Sequence, residues 1–305
     1  MEFFLQQTVN GLTLGSVYAL LALGYSMVYG VLKLLNFAHG EVYMFGAFAG
    51  FGMLSLLGGA SALVVPAWIA IVLMFVAAMA ASSVIGVALE RFAYRPLRNS
   101  TRIAPLISAI GASFFLQATA LLLFSANSRS YDAPNLIAID TGIDIGPIRI
   151  WLVRILVIVS AGVLMGLLTL WVRKSRIGKA VRAVSYDREA AAMMGVDVDR
   201  VIMVVFLVGS ALAGIGGVMV GLVFGRVFHL MGFVAGLKAF TAAVVGGIGS
   251  IPGAMLGGLL IGLAEAYTTG YISSTFQNLI VFCLLIVVLL IRPSGLLGKP
   301  ELVKV

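Results

Sequence analysis

The sequence predicts an all-α polytopic membrane protein of about eight or nine transmembrane helices, one of them a candidate for a discontinuous helix, carrying a helix in a basic connecting loop. Three observations predict it. Hydrophobic residues make up 61% of the 305 and charged residues only 10%, with a mean hydropathy of +1.12, so too few polar side chains exist to cover a soluble domain. The apolar runs reach the ~20 residues that a helix needs to cross a bilayer, without the alternation of a membrane barrel. The basic residues behind the net charge of +8 lie in connections between those runs without interleaved aromatics, which points to membrane orientation and away from nucleic acid.

Taken in order, the first span is expected near residues 9–31, ahead of Lys33; the opening M-E-F-F-L-Q-Q has no basic region or cleavage site, so this span itself directs insertion. The second, near 40–58, starts at the polar string N-F-A-H-G-E. The third, near 62–90, stops at R-F-A-Y-R-P-L-R-N-S-T-R, where Arg91, Arg95, Arg98 and Arg102 stand without an acid. The fourth is near 103–125. A connection over 126–150 then carries Asp132, Asp140 and Asp144 and reads as an external loop. The fifth span, near 151–172, runs into a loop over 173–200 rich in arginine and lysine, and the sixth lies near 201–223.

Basic loops face the cytoplasm, so the N-terminus is expected outside and the C-terminus, with Arg292 directly after the last span, inside. That assignment requires an odd number of crossings after 223. Spans near 236–250, 253–271 and 276–291 satisfy it. The first of these is short, and Gly246, Gly247, Gly249, Pro252 and Gly253 mark a hinge where its helix is expected to break. All 305 residues read as one transmembrane domain.

Within the loop over 173–200, D-R-E-A-A-A-M-M-G specifies a short helix. Asp187 is a good N-cap, Glu189 meets the helix dipole in the first turn, alanines and methionines propagate, and Gly195 suits the left-handed closing position. A helix this short is marginal alone in water and must be held by packing, which makes it a docking knob between two spans.

Glu189, Ala190, Ala191 and Gly195 also fit the E-A-A-x-x-x-G pattern of the coupling loop in ABC importer permeases. Longer strings extend the likeness: G-S-V-Y-A-L-L-A-L-G-Y-S-M-V-Y-G-V-L-K-L-L-N-F-A-H-G-E, then G-L-K-A-F with the glycine-rich run after it, and R-P-S-G-L-L-G near the end. On these the chain resembles the branched-chain amino acid permease family of ABC importers, LivH type. It departs at G-R-V-F-H-L-M-G, where similar proteins often have proline and this chain has Leu230.

The resemblance implies a bacterial inner-membrane importer that moves leucine, isoleucine, valine or related amino acids by alternating access. It also implies the partners: a second permease of LivM type, two cytoplasmic ABC ATPases and an external or periplasmic amino-acid-binding protein. Arg182, Asp187, Glu189, Ala190, Ala191 and Gly195 are then the candidates for coupling to the ATPases. ATP and magnesium belong to those partners, because Gly178-Lys179 is followed by alanine and Gly298-Lys299 by proline, so no G-x-x-x-x-G-K-[ST] phosphate loop exists.

Intramembrane polar groups are the remaining candidates, since each is costly in lipid unless paired or wet. Asn36, His39, Glu41, Lys238, Thr241 and Glu265 read either as lining the translocation path or as structural ion pairs and caps; His39 and Glu41 suit the N-terminus of the second span. No metal site and no catalytic residue is expected, as the only histidines are His39 and His229 and the single cysteine is Cys283. Two other classes stay open from the residues alone: a secondary transporter or channel independent of any ATPase, and an intramembrane enzyme, the latter without a nucleophile and positioned base to support it.

Overall fold

The computed structural model describes residues 1–298 apart from 61, 99, 102, 132–135, 137–140 and 147; Arg102, Asp132 and Asp140 of the charged loops fall outside these residues, as does 299–305. Each expected span overlaps a helix. They are α1 (Glu2–Leu32), α2 (His39–Leu56), α3 (Ala67–Leu89), α4 (Ile103–Phe124), α5 (Leu152–Lys174), α8 (Val198–Phe224), α9 (Met231–Gly246), α10 (Ile251–Tyr271) and α11 (Gln277–Ile291). Between α5 and α8 lie α6 (Arg176–Tyr186) and α7 (Arg188–Met193). By length and composition seven helical segments can cross a membrane among the described residues, and α9, with 16 residues, is a shorter apolar helix.

Burial separates centre from rim. For α1, 89% of the apolar window is buried inside the protein, against 22% for α4 and 6% for α11, so α1 is the axis of the bundle while α4 and α11 present Phe114, Phe115, Leu122 and Leu290 outward. A helix apolar on every side can occupy either place. Small residues choose between them, because helix association in lipid depends on close backbone approach. Gly11 and Gly15 of α1 face Leu263 and Leu259 of α10, and Gly24 faces Gly209 of α8 so closely that a β-carbon at Gly209 would lie 3.2 Å from Gly24 Cα.

These contacts reveal two halves of opposite direction. Gly46 and Gly50 of α2 meet Gly214 and Val218 of α8, a parallel pair, while Gly86 and Ser82 of α3 meet Ser210 and Gly214 of α8, an antiparallel one. In the second half α9 takes the place of α2 and α10 the place of α3, both against α1. Both α1 and α8 end on a left-handed residue, Lys33 at φ 56° and Gly225 at φ 69°. After each, a short linker folds back, and the helices that follow, α2 and α9, meet at their starts, where a β-carbon on Gly236 would be 2.9 Å from Gly40 Cα. The α2–α9 and α1–α8 contacts thus lie on the axis of an inverted repeat, an organisation common among transporters.

The structure corrects two expectations. The span placed at 236–250 is the uninterrupted helix Met231–Gly246, and the expected hinge glycines form its connection to α10: Gly247 caps α9 at φ 112°, Gly249 takes φ 86°, and Pro252 with Gly253 opens α10 behind the Ser250 N-cap. Proline without an N–H is accommodated in a first turn, so it starts a helix here and breaks none. The R-P-S-G-L-L-G segment seals this turn, with Leu296 N donating to Val245 O and Leu297 N to Gly246 O, both at 2.9 Å. Second, the loop over 173–200 holds two helices where one was read. The connection over 126–150 carries short strands among its described residues: Arg129–Ser130 (β1) pairs with Arg226–Val227 (β4), Gly142–Ile145 (β2) with Ile148–Trp151 (β3), and Tyr131 plugs the bundle with its hydroxyl 2.5 Å from Ala47 O.

If close packing sets the fold, a leucine at Gly262, where any β-carbon overlaps the Gly15 backbone, should cost about 1–3 kcal/mol or more by overpacking. Gly162→Leu on α5, which meets nothing within 4 Å, should change stability by less than about 1 kcal/mol. Thermal unfolding of the two variants in detergent checks the contrast.

Candidate functional site

The basic connection ends in a two-part cap on one end of the bundle. α6 is amphipathic: Ser175 accepts from Gly178 N at 2.8 Å as its N-cap, Val181 and Val184 are buried, and Arg182 donates to Val172 O at 2.5 Å, tying α6 back to the end of α5. Sequence reading missed α6, although Ile177, Val181 and Val184 follow helical spacing behind a serine cap. α7 follows after Asp187, whose carboxylate accepts from Glu189 N at 3.1 Å and Ala190 N at 3.0 Å. Ala191 is the buried residue of α7, and Gly195 closes it at φ 81°, with Gly195 N and Val196 N donating to Ala192 O and Ala191 O.

The result is a small apolar tip on a rigid stem. Tyr186, Met193 and Met194 are each at least 84% exposed, and Glu189 and Ala190 flank them on the open face. Arg188 reaches past α7 and donates to Val31 O on the last turn of α1 at 3.0 Å. Burial, then the nearby Arg98 charge, pull its guanidinium below the usual arginine pKa, without removing the charge. A second tie crosses the same end: Arg95 and Arg98, after α3, both reach Asp199 at the start of α8 at 2.5 Å, and Arg98 also pairs with the buried Glu90. So α7 is linked to α1 by Arg188, to α5 through α6, and to α8 by the two residues after Gly195, Val196 and Asp197.

The intramembrane polar candidates divide into two groups. Asn36 lies in the linker before α2 and accepts from Tyr94 OH at 2.9 Å; His39 packs its ring on Tyr25 and against Gly24, two turns before α1 ends. Glu41 turns away from the α2 terminus to α4, where Gln117 Nε2 donates at 2.8 Å and Ser113 at 3.2 Å, while its other oxygen faces Gly232 at the start of α9. Neither His39 nor Glu41 caps α2 by a side-chain bond: Glu41 is taken by Gln117 and Ser113 of α4, and the His39 ring packs against Tyr25 and Gly24 of α1. Thr241, buried in α9, has no hydrogen-bond partner for its hydroxyl among the described residues.

The other group is one network. Lys238 Nζ donates to Glu265 Oε1 at 2.6 Å, and Tyr18 OH donates to Oε2 at 2.9 Å, joining α9, α10 and α1 with all three side chains buried. Lys238 and Glu265 were readable as intramembrane charges; Tyr18 was not, since nothing in one sequence pairs residues 247 apart. Among the described residues no group of three His, Cys, Asp or Glu is placed to hold a metal.

The family described as branched-chain amino acid transport system / permease component matches residues 7–289. The high-affinity branched-chain amino acid transport system permease protein LivH of Escherichia coli (strain K12) is 44% identical, over 99% of this chain and 98% of its own length. The protein of the same description called BraD, from Pseudomonas aeruginosa, is 45% identical over the same shares of each chain. A probable branched-chain amino acid transport permease protein LivH from Methanocaldococcus jannaschii is 27% identical over 93% of this chain and 89% of its own.

Removing one member of a buried ion pair strands the other. Lys238→Met is expected to cost about 3–5 kcal/mol of stability, and Lys238→Met with Glu265→Gln to recover most of it, as measured by thermal unfolding of the detergent-solubilised chain.

Proposed function

This chain belongs to the branched-chain amino acid transport system permease family, and we propose that it is the membrane-spanning subunit of an ATP-driven importer for leucine, isoleucine, valine or related amino acids. The observation that carries this reading beyond the family is the capped, apolar-tipped helix α7, fixed to α1 and α8 at one end of the bundle. Its partners are two cytoplasmic ABC ATPases, a second related permease of LivM type and an external amino-acid-binding protein. ATP and magnesium act on the ATPases. The chain sits in the bacterial inner membrane with α6 and α7 inside and the N-terminus outside, a placement supported by the arginines and lysines of 173–200 and the arginines after α3.

The motion follows from the ties. ATPase closure moves the docked tip, with Tyr186, Met193 and Met194 seated in a cleft of the ATPase. Because Arg188 grips the last turn of α1 and α8 begins directly behind Gly195, the displacement reaches both helices at their inner ends. α1 and α8 touch through glycine backbones at Gly24 and Gly209, a contact without interlocked side chains on which each can tilt. Tilting opens one end of the bundle as it closes the other, and rigid-body movement of this kind is a common switching device. The inverted repeat gives the two end states related packings.

Glu189→Arg, which reverses the charge in the first turn of α7, and Gly195→Val, which strains a residue at φ 81°, are expected to abolish coupling. Uptake of leucine by the assembled importer should fall at least about tenfold, and ATPase stimulation by the loaded binding protein should disappear, with the chain still inserted in the membrane. Normal uptake by both variants would remove the coupling role.

A further inference from the structure

At the end of the bundle opposite α6 and α7 a cavity of about 580 Å3 lies between α1, α8, α9 and α10. It lies inside one chain, away from the outward faces of α4 and α11. The size is within the range of about 300–1,000 Å3 typical of small-molecule sites. Its lining has three tiers. The floor is the Lys238–Glu265 pair with Tyr18; a middle band is aliphatic, including Val17, Val220 and Val223; and toward the end of the bundle stand Arg154 and Arg226.

The charges in this lining do not cancel. Lys238 is matched by Glu265, whereas neither Arg154 nor Arg226 takes part in any ion pair among the described residues, and Arg154 holds only the amide oxygen of Asn10. A half-buried guanidinium with a neutral partner is built to receive a carboxylate. An acyl chain entering from the bilayer would end on this buried ion pair, a mismatch that a short solute with polar groups at one end and an aliphatic branch avoids.

We propose that this cavity binds an aliphatic amino acid within the single permease chain, its carboxylate on Arg154 and its side chain among Val17, Val220 and Val223. The choice of cargo rests on the importer reading; the location does not.

The test uses the full chain in detergent and equilibrium binding of labelled L-leucine, with 4-methylpentanoate, 3-methylbutylamine and decanoate as competitors. Wild type is expected to bind leucine, with competition by 4-methylpentanoate and none by the amine, which lacks a carboxylate. Arg154→Gln should weaken binding about tenfold, the loss of one charge-assisted contact. Val220→Trp, which adds an indole to empty space, should abolish binding with thermal stability kept. No leucine binding by the wild-type chain, binding unchanged in both variants, or displacement by decanoate alone would overturn the site, the last identifying an acyl-chain pocket. Leucine uptake by the importer reconstituted with Val220→Trp separates the two readings. Full uptake with the cavity filled rejects the site and leaves the importer assignment standing, while uptake that persists with this chain omitted rejects the assignment itself.

Discussion

The close approach of α1 and α8 at Gly24 and Gly209 is the constraint on which the rest of the structure depends. Lipid supplies no hydrophobic drive to bring two apolar helices together, so contact must come from backbones that can nearly touch. At this crossing each residue lacks a β-carbon, and the His39 ring fills the space beside Gly24. Once α1 and α8 are joined, their flanks are taken by α10 and α3, and α2 and α9 start against each other through Gly40, Gly232 and Gly236. The chain is thereby two inverted halves around one core, with α5 and its appendage of α6 and α7 added to the side.

Charge follows from that core. The bundle buries few ionisable groups and gives several of them partners on other helices: Lys238 with Glu265 and Tyr18, Glu41 with Ser113 and Gln117. Each such group joins elements far apart in sequence, so the polar network fixes which helices are neighbours while the glycines fix how near they come. At one end the same logic extends outward, where Arg188 ties α7 to α1 and Arg98 ties the start of α8 to the end of α3.

Much of the bundle was legible in the sequence because each span needs a long apolar run and each basic loop announces itself. The helix at 187–195 was legible too, since its cap residues, Asp187 and Gly195, are local signals. What the sequence hid was long range. The bounds of α9 were misjudged because Met231 to Ala235 look like loop beside G-R-V-F-H, and the start of the helix is set by contact with Gly40 rather than by any cap of its own. His39 and Glu41 were read as caps because only α2 was in view; Glu41 instead bonds to α4 and His39 packs against α1. Tyr18 and Arg154 drew no notice, as their meaning lies in residues on other helices.

The central claim is that the tip of α7 is gripped by an ATPase and passes its movement to α1 and α8. A photo-reactive phenylalanine at Met193, in cells making the whole importer, tests this most directly. The account predicts a cross-link to the ATPase subunit whose yield changes when the nucleotide is trapped. Cross-links to lipid or to an external protein, with none to the ATPase, would contradict it.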